Sequence, residues 1–382
     1  MKKQRIQELD FLRTVAIIMV VLVHGITRAI EVHQYNGGLT TGMESVLLTL
    51  RLFATFGTPI FVFLSEFLLS HSYNEKLPQG FFKKRMKYIF LPYVSMGILY
   101  AFVMTYEAGG MASTGVMEVF KNLGINLVTG FYRHGYFILL IFQFYLLHYF
   151  FHKKLKTMDV KILLGGSLII NVAYLLFSHG IQFLGIPYVN EVVQVFTWGA
   201  APAWIFYFAA GYVLGQQKEA FHQFLKRIEK RILPLVIISG GFLALMFFSG
   251  VLTENSSKRF DMIFFTSAMF LLLYRYALKN TYSKRITGFI SRYSFGIYLL
   301  HMFYLFLMTE YLIHMELQLP PIITLVTLTL GSAGLSIVTT NLLSRFMWGA
   351  YVVGRLEVKH QQVLPGRKER DGQRERRYIT ES

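Results

Sequence analysis

About ten blocks of roughly 20 apolar residues, parted by short polar segments, leave this chain one solvent in which to fold, the hydrocarbon core of a lipid bilayer. Backbone N–H and C=O groups find no water there, so each block has to pair its own as a helix. The blocks lie at about 11–29, 46–70, 88–106, 135–151, 162–178, 199–215, 232–250, 260–277, 294–314 and 321–343. The expected fold is an all-α integral membrane protein, a bundle of about ten transmembrane helices. No sizeable soluble domain fits between the blocks. The longest outer segment, about 107–134, holds Gly109, Gly110 and Gly115 and reads as a loop.

Charge gives the expected orientation. Most of the 38 Lys and Arg residues fall on alternate segments, beginning with Lys2, Lys3 and Arg5 and continuing with Lys76, Lys83, Lys84, Arg85 and Lys87. Basic residues stay on the cytoplasmic side, so both termini are expected there. Residues 1–350 then form the membrane domain and residues 351–382 a basic, disordered cytoplasmic tail. The first block lacks a small-x-small cleavage site and is expected to remain as a helix. A net charge of +17 spread over the inner loops makes no nucleic-acid footprint, and anionic membrane lipid is the expected partner. The absence of Cys excludes thiol nucleophiles, disulfides and thiolate metal sites. No His pair shows metal-ligand spacing, so no metal is expected.

Against that background, Arg13 and His24 stand inside the first block. Eleven residues turn an α-helix by about 1100°, about 20° past three turns, so both side chains share one stripe about 16 Å apart. An ionisable group in hydrocarbon costs roughly 2.5–3.5 kcal/mol on insertion scales and normally faces a bundle interior, marking a pathway or a reaction site. The plainer alternative is an Arg tied to a carboxylate and a His bonded to a backbone carbonyl.

The second block carries Ser65, Glu66 and Phe67 near the expected depth of Arg13. A Glu66–Arg13 pair either serves binding or only locks two helices, and Asp10, one turn before Arg13, is the other expected partner. Lys83, Lys84, Arg85 and Lys87 suit a phosphate-bearing ligand, although any positive-inside loop looks similar. Tyr298 and His301 lie one turn apart in the ninth block, where they either line a cavity facing His24 or satisfy neighbours. The fourth block is polar for its place, with His134, Tyr136, Gln143, Tyr145 and His148, and Tyr and His at helix ends often act as interfacial anchors.

Together these residues resemble the acyltransferase 3 family of membrane-bound bacterial O-acyltransferases, whose first helix opens L-D-x-L-R and carries R-x10-H. Here those are Leu9-Asp10-Phe11-Leu12-Arg13 and the Arg13–His24 spacing, joined by Leu91-Pro92-Tyr93 and by Ser294 to His301, which is similar to the family's S-x-G-I-Y-L-x-H. Two departures stand out. Ser65-Glu66-Phe67 replaces a frequent Ser-Gly-Phe, and Lys84 with Lys87 replaces paired arginines, losing bidentate geometry. The Glu looks like the branch associated with biofilm polysaccharide loci, regarded variously as exporter and as O-succinyltransferase.

The resemblance implies an acyl-CoA type donor arriving from the cytoplasm, a hydroxyl acceptor on a cell-surface or exported glycan, and residence in the bacterial plasma membrane. It implies no permanently bound cofactor. Arg13 and His24 then carry the catalysis, with His24 as general base, and an acyl-imidazole at His24 stays open. Lys83, Lys84, Arg85, Lys87 and Glu66 would bind the donor, while Asp10, Ser65, Arg51, Gln143, Tyr145, Tyr298, His301 and Glu310 are candidate cavity linings. Arg51 and Glu310 lie on the acceptor side. The rival is a transporter or flippase for a polysaccharide or lipid-linked sugar, which intramembrane charges suit equally.

Overall fold

The computed structural model describes residues 6–73, 77–132, 134–183, 199–279 and 281–356, and among them all regular structure is helical. In chain order the helices are α1 (Gln7–Tyr35), α2 (Thr41–Ala54), α3 (Gly57–Ser72), α4 (Phe81–Arg85), α5 (Leu91–Glu107), α6 (Met111–Thr114), α7 (Val116–Thr129), α8 (Tyr136–Thr157), α9 (Val160–Phe183), α10 (Ile205–Gln216), α11 (Lys218–Phe248), α12 (Phe260–Leu278), α13 (Lys284–His314), α14 (Pro321–Leu343) and α15 (Gly349–Val352). A π-helical turn at Met86–Phe90 joins α4 to α5, and a 3-10 turn at Ala201–Trp204 leads into α10.

Eight segments among the described residues are long and apolar enough to cross a membrane: α1, the α2–α3 run, the α4–α5 run, α9, α11, α12, α13 and α14. The protein is an all-α integral membrane protein. The expected count of about ten included two more spans, whose places are taken by α8 and α10. Gln143, His148 and three lysines dilute the apolar character of α8, and α10 is only 12 residues long. The expected single span at 46–70 is two helices, broken where the Thr55 hydroxyl turns back to the Leu52 carbonyl at 2.6 Å. The expected loop at 107–134 is largely helix. α7 lies on α5 through its polar face, with Asn122 donating to Thr105 at 3.1 Å, Asn126 donating to the Gly97 carbonyl at 3.0 Å and Tyr93 donating to the Asn126 carbonyl at 2.6 Å. At 14 residues α7 is too short to read as a membrane span, and its packed face mixes these asparagines with Val119, Leu123 and Leu127.

α1 is the hub of the bundle. It packs most extensively on α13 and also meets α2, α3, α12 and α14. Ser291 donates to Asp10 at 2.8 Å and Thr14 donates to the Thr287 carbonyl at 2.9 Å, which fixes the rotation of α1 against α13 and hence where Arg13 points. α10 presses on α3 just as closely: a Cβ at Gly211 would lie 2.6 Å from the Phe63 carbonyl oxygen, and one at Gly215 2.5 Å from that of Phe67. Small residues four apart let two backbones meet in this way where no hydrophobic effect drives helices together.

The starts of α1, α4 and α13 gather at one end of the bundle, the basic end, with residues 349–356 folded back onto it. Val353 is 1% exposed, and the Arg355 guanidinium sits 5.7 Å from the Tyr88 ring. The expected disordered tail beyond residue 356, together with Lys2, Lys3, Arg5, Lys76 and Arg133, lies outside the described residues.

Candidate active site

Two cavities open along α1, one around Arg13 and one around His24. The first, about 600 Å³, lies toward the basic end between α1, α3, α8 and α13. Its described lining residues include five cations, Arg13, Lys84, Arg85, Arg292 and Arg355, and no carboxylate. The Arg85 guanidinium is held over the rings of Phe81 and Tyr145 at 4.9 and 5.1 Å, which keeps its charge at the cavity edge. A concave site with one sign of charge and low-dielectric walls concentrates anions, and guanidinium groups match phosphate oxygens in pairs.

The second cavity, about 390 Å³, lies toward the other end and is lined by His24, Arg28, Arg51, His134, Tyr136 and a run from Glu254 to Lys258. That run is shaped by Arg259, which is fully buried, pairs with Asp261 at 2.5 Å and donates to the carbonyls of Leu243, Leu252 and Glu254. Arg28, one turn beyond His24, is neutralised by Glu31 at 2.7 Å and Glu107 at 3.0 Å and also bonds Tyr132. Lys258 is buried in the loop before α12, with its ammonium 5.6 Å from the Tyr136 ring. Desolvation holds its pKa well below the ordinary lysine range, against the opposing pull of Glu254.

Three imidazoles meet beside this cavity. The His24 ring lies 5.4 Å from His301 and 6.2 Å from His134, and those two lie 5.1 Å from each other. His134 arrives on a tight loop in which Gly130 has φ +96° and a Cβ would run into the backbone of Tyr136. His134 Nδ1 donates to the Tyr132 carbonyl at 2.7 Å, and His301 Nδ1 donates to the carbonyls of Ile297 and Tyr298 at 2.9 Å. Carbonyls only accept, so both rings carry their proton on Nδ1 and leave Nε2 as a bare acceptor. Both Nε2 atoms are buried with no hydrogen-bond partner.

Several expected site residues therefore come together. Arg13, Ser65, Lys84, Arg85 and Tyr145 line the basic-end cavity, Arg51 and His24 the other, Tyr298 both, and His301 packs on His24. Others do not. Glu66 turns away from Arg13 and shares a hydrogen bond with His148 at 2.6 Å. Asp10 is engaged by Ser291, Gln143 brackets the chain at Gly199 and Ala201, and Glu310 lies 3.9 Å from His314 on the outer turns of α13. Lys83 and Lys87 are exposed, with Lys87 over the Tyr351 ring at 4.9 Å.

Arg292, Arg355, Arg28, His134 and the Glu254–Lys258 run were not read as site residues from the sequence. Arg28, four residues past His24 on the same stripe, and His134, in a block that is polar for its place, carried a usable signal.

Residues 6–341 match the model of a family described as an acyltransferase domain. A Bacillus subtilis (strain 168) protein named as a membrane-bound acyltransferase, YfiQ, is 31% identical over 360 residues, which is 94% of this chain and 97% of its own. A protein of Staphylococcus aureus (strain MRSA252) named for poly-beta-1,6-N-acetyl-D-glucosamine export is 29% identical over 313 residues, 79% of this chain and 82% of its own. A Staphylococcus epidermidis protein of the same name is 27% identical over 317 residues, covering 79% of this chain and 81% of its own. No solved structure matches the chain. The family match runs from the start of α1 into α14 and takes in every residue named around the two cavities except Arg355; this chain belongs to that acyltransferase family and is a multi-pass membrane acyltransferase.

Proposed function

We propose that the protein moves an acyl group from a cytoplasmic acyl-CoA to a hydroxyl of an exported or cell-surface glycan, across the bacterial inner membrane. The observation that carries this reading is the pairing, on one stripe of α1, of a five-cation cavity at Arg13 with a hydroxyl-, amide- and charge-lined cavity at His24. The basic end then faces the cytoplasm, where Arg13, Lys84, Arg85, Arg292 and Arg355 hold the nucleotide phosphates. The rise of about 16 Å from Arg13 to His24 suits an extended pantetheine arm. The other cavity takes the sugar, with Arg51 and the Glu254–Lys258 run as its polar contacts.

His24 acts as general base. It takes the proton of the acceptor hydroxyl as that oxygen attacks the thioester carbonyl; the new C–O bond forms, the C–S bond breaks, and the proton passes to the departing thiolate. The bare acceptors on His134 and His301 supply partners for the N–H that His24 gains. No protein nucleophile is needed. The names of the staphylococcal relatives suggest an amino-sugar polysaccharide as the acceptor class, and they also raise export as a second reading.

His24→Ala separates the two. In producing cells, transfer predicts loss of acyl ester from the surface glycan with protein level and glycan amount unchanged. Loss of the glycan itself overturns the transfer reading in favour of export.

A further inference from the structure

Among the described residues, two line both cavities, Phe137 on α8 and Tyr298 on α13. Their rings meet edge to face with centroids 5.6 Å apart. Tyr298 is held at both ends: its hydroxyl donates to the His134 carbonyl at 2.5 Å, its ring packs on His134 at 5.3 Å, and it is 7% exposed. Phe137 packs edge-on against Phe61 at 6.0 Å and is half-buried. One wall of the junction is therefore pinned by a hydrogen bond, and the other is a ring held by packing.

From this geometry we infer that Phe137 and Tyr298 form an acyl-size filter. The inference rests on the transfer reading above and adds to it the residues that select the acyl group. A thioester presented from the basic-end cavity has to bring its carbonyl past the two rings to reach the hydroxyl at His24. Short acyl groups pass, and long chains meet the Phe137 ring. The rings take no part in the bond changes, which remain C–O formation, C–S cleavage and proton delivery to the thiolate. A tight apolar slot discriminates by roughly 10–200-fold per methylene, so removing one wall changes selectivity more than it changes rate with the smallest donor.

The test uses membrane vesicles from producing cells, which carry the full chain and its native acceptor. Thiol release from acetyl-, butyryl- and octanoyl-CoA is measured above the rate of His24→Ala vesicles. Phe137→Ala is expected to raise the octanoyl-to-acetyl ratio of kcat/KM by about 10-fold or more. Phe137→Trp, which keeps an aromatic ring at the junction, is expected to lower the butyryl-to-acetyl ratio, and it tests the filter from the opposite direction if the Ala variant fails to accumulate. Ratios equal to wild type in the accumulated variants overturn the filter alone. A wild type that equals His24→Ala with all three donors overturns the transfer reading and the filter with it.

Discussion

Glu66 on α3 and His148 on α8 share a hydrogen bond of 2.6 Å, and neither side chain is more than 2% exposed. The pair lines neither cavity, so it joins two helices without facing either site. Removing one partner of a buried hydrogen bond leaves the other polar group unsatisfied at a cost of about 1–3 kcal/mol, whereas replacing both by apolar groups of similar shape is close to neutral. Glu66→Ala and His148→Ala are expected to lower the thermal midpoint in detergent strongly. Glu66→Leu combined with His148→Phe is expected to recover most of the loss. Additive losses in the double variant would show that the two residues act independently.

Asp261 holds Arg259, and Arg259 in turn holds the 252–254 backbone at the rim of the His24 cavity. Asp261→Ala leaves a guanidinium buried without its carboxylate, which costs about 3–5 kcal/mol. The expected outcome is faster proteolytic nicking between Leu252 and Lys258, together with a raised KM for the acceptor. An unchanged cleavage pattern would mean that the loop holds its shape without the pair.

Gly211 and Gly215 set how closely α10 approaches α3. Gly215→Val puts a branched side chain against the Phe67 carbonyl and the Ser70 hydroxyl, so α10 has to move away. Destabilisation of about 1–3 kcal/mol is expected from overpacking, read as a lower unfolding temperature. Gly241→Val is the control. A Cβ there meets nothing within 4 Å, and a small effect is expected.

Arg355 and Arg292 contribute charge to the basic-end cavity from two separate parts of the chain. On the transfer reading, Arg355→Ala and Arg292→Ala each raise the donor KM by roughly 10-fold with little change in kcat, as expected for loss of one charge-assisted phosphate contact. Added salt is expected to narrow the gap between variant and wild type. A change confined to kcat would place these groups in chemistry instead of binding.

Lys258 gives a pH signature. Its pKa is lowered by burial, so its neutral, nucleophilic form is populated at lower pH than that of an ordinary lysine near 10.4. As pH rises, acetylation of Lys258 by acetic anhydride is expected to level off before that of a short lysine peptide added as reference, read by peptide mass spectrometry. A Lys258 profile that coincides with that of the reference would show the amine to be solvated.

How much was legible in the sequence follows from what each signal measures. Apolar blocks report solvent, so the long helices were readable, whereas α7 was not, because at 14 residues it is too short to span a bilayer and its packed face mixes Asn122 and Asn126 with Val119, Leu123 and Leu127. The Arg13–His24 stripe was readable because helical spacing alone fixes it. The Glu66 partner was misread because depth was used as a proxy for contact. Equal depth on two helices does not set their rotation, and α3 turns Glu66 toward α8. Arg355 and the Glu254–Lys258 run lie in segments with no periodicity, and what brings them to the cavities is the long-range packing of Val353 and the Arg259 bonds.

The central place of α1 bears on biogenesis. Its most extensive partners are α13 and α14, which follow it far along the chain, so α1 is made well before them with Arg13, His24 and Arg28 aboard. The nascent chain thus has to shelter three polar groups in lipid until the α13–α14 hairpin arrives. Premature stops anywhere before Lys284 should yield a product that membrane quality control removes.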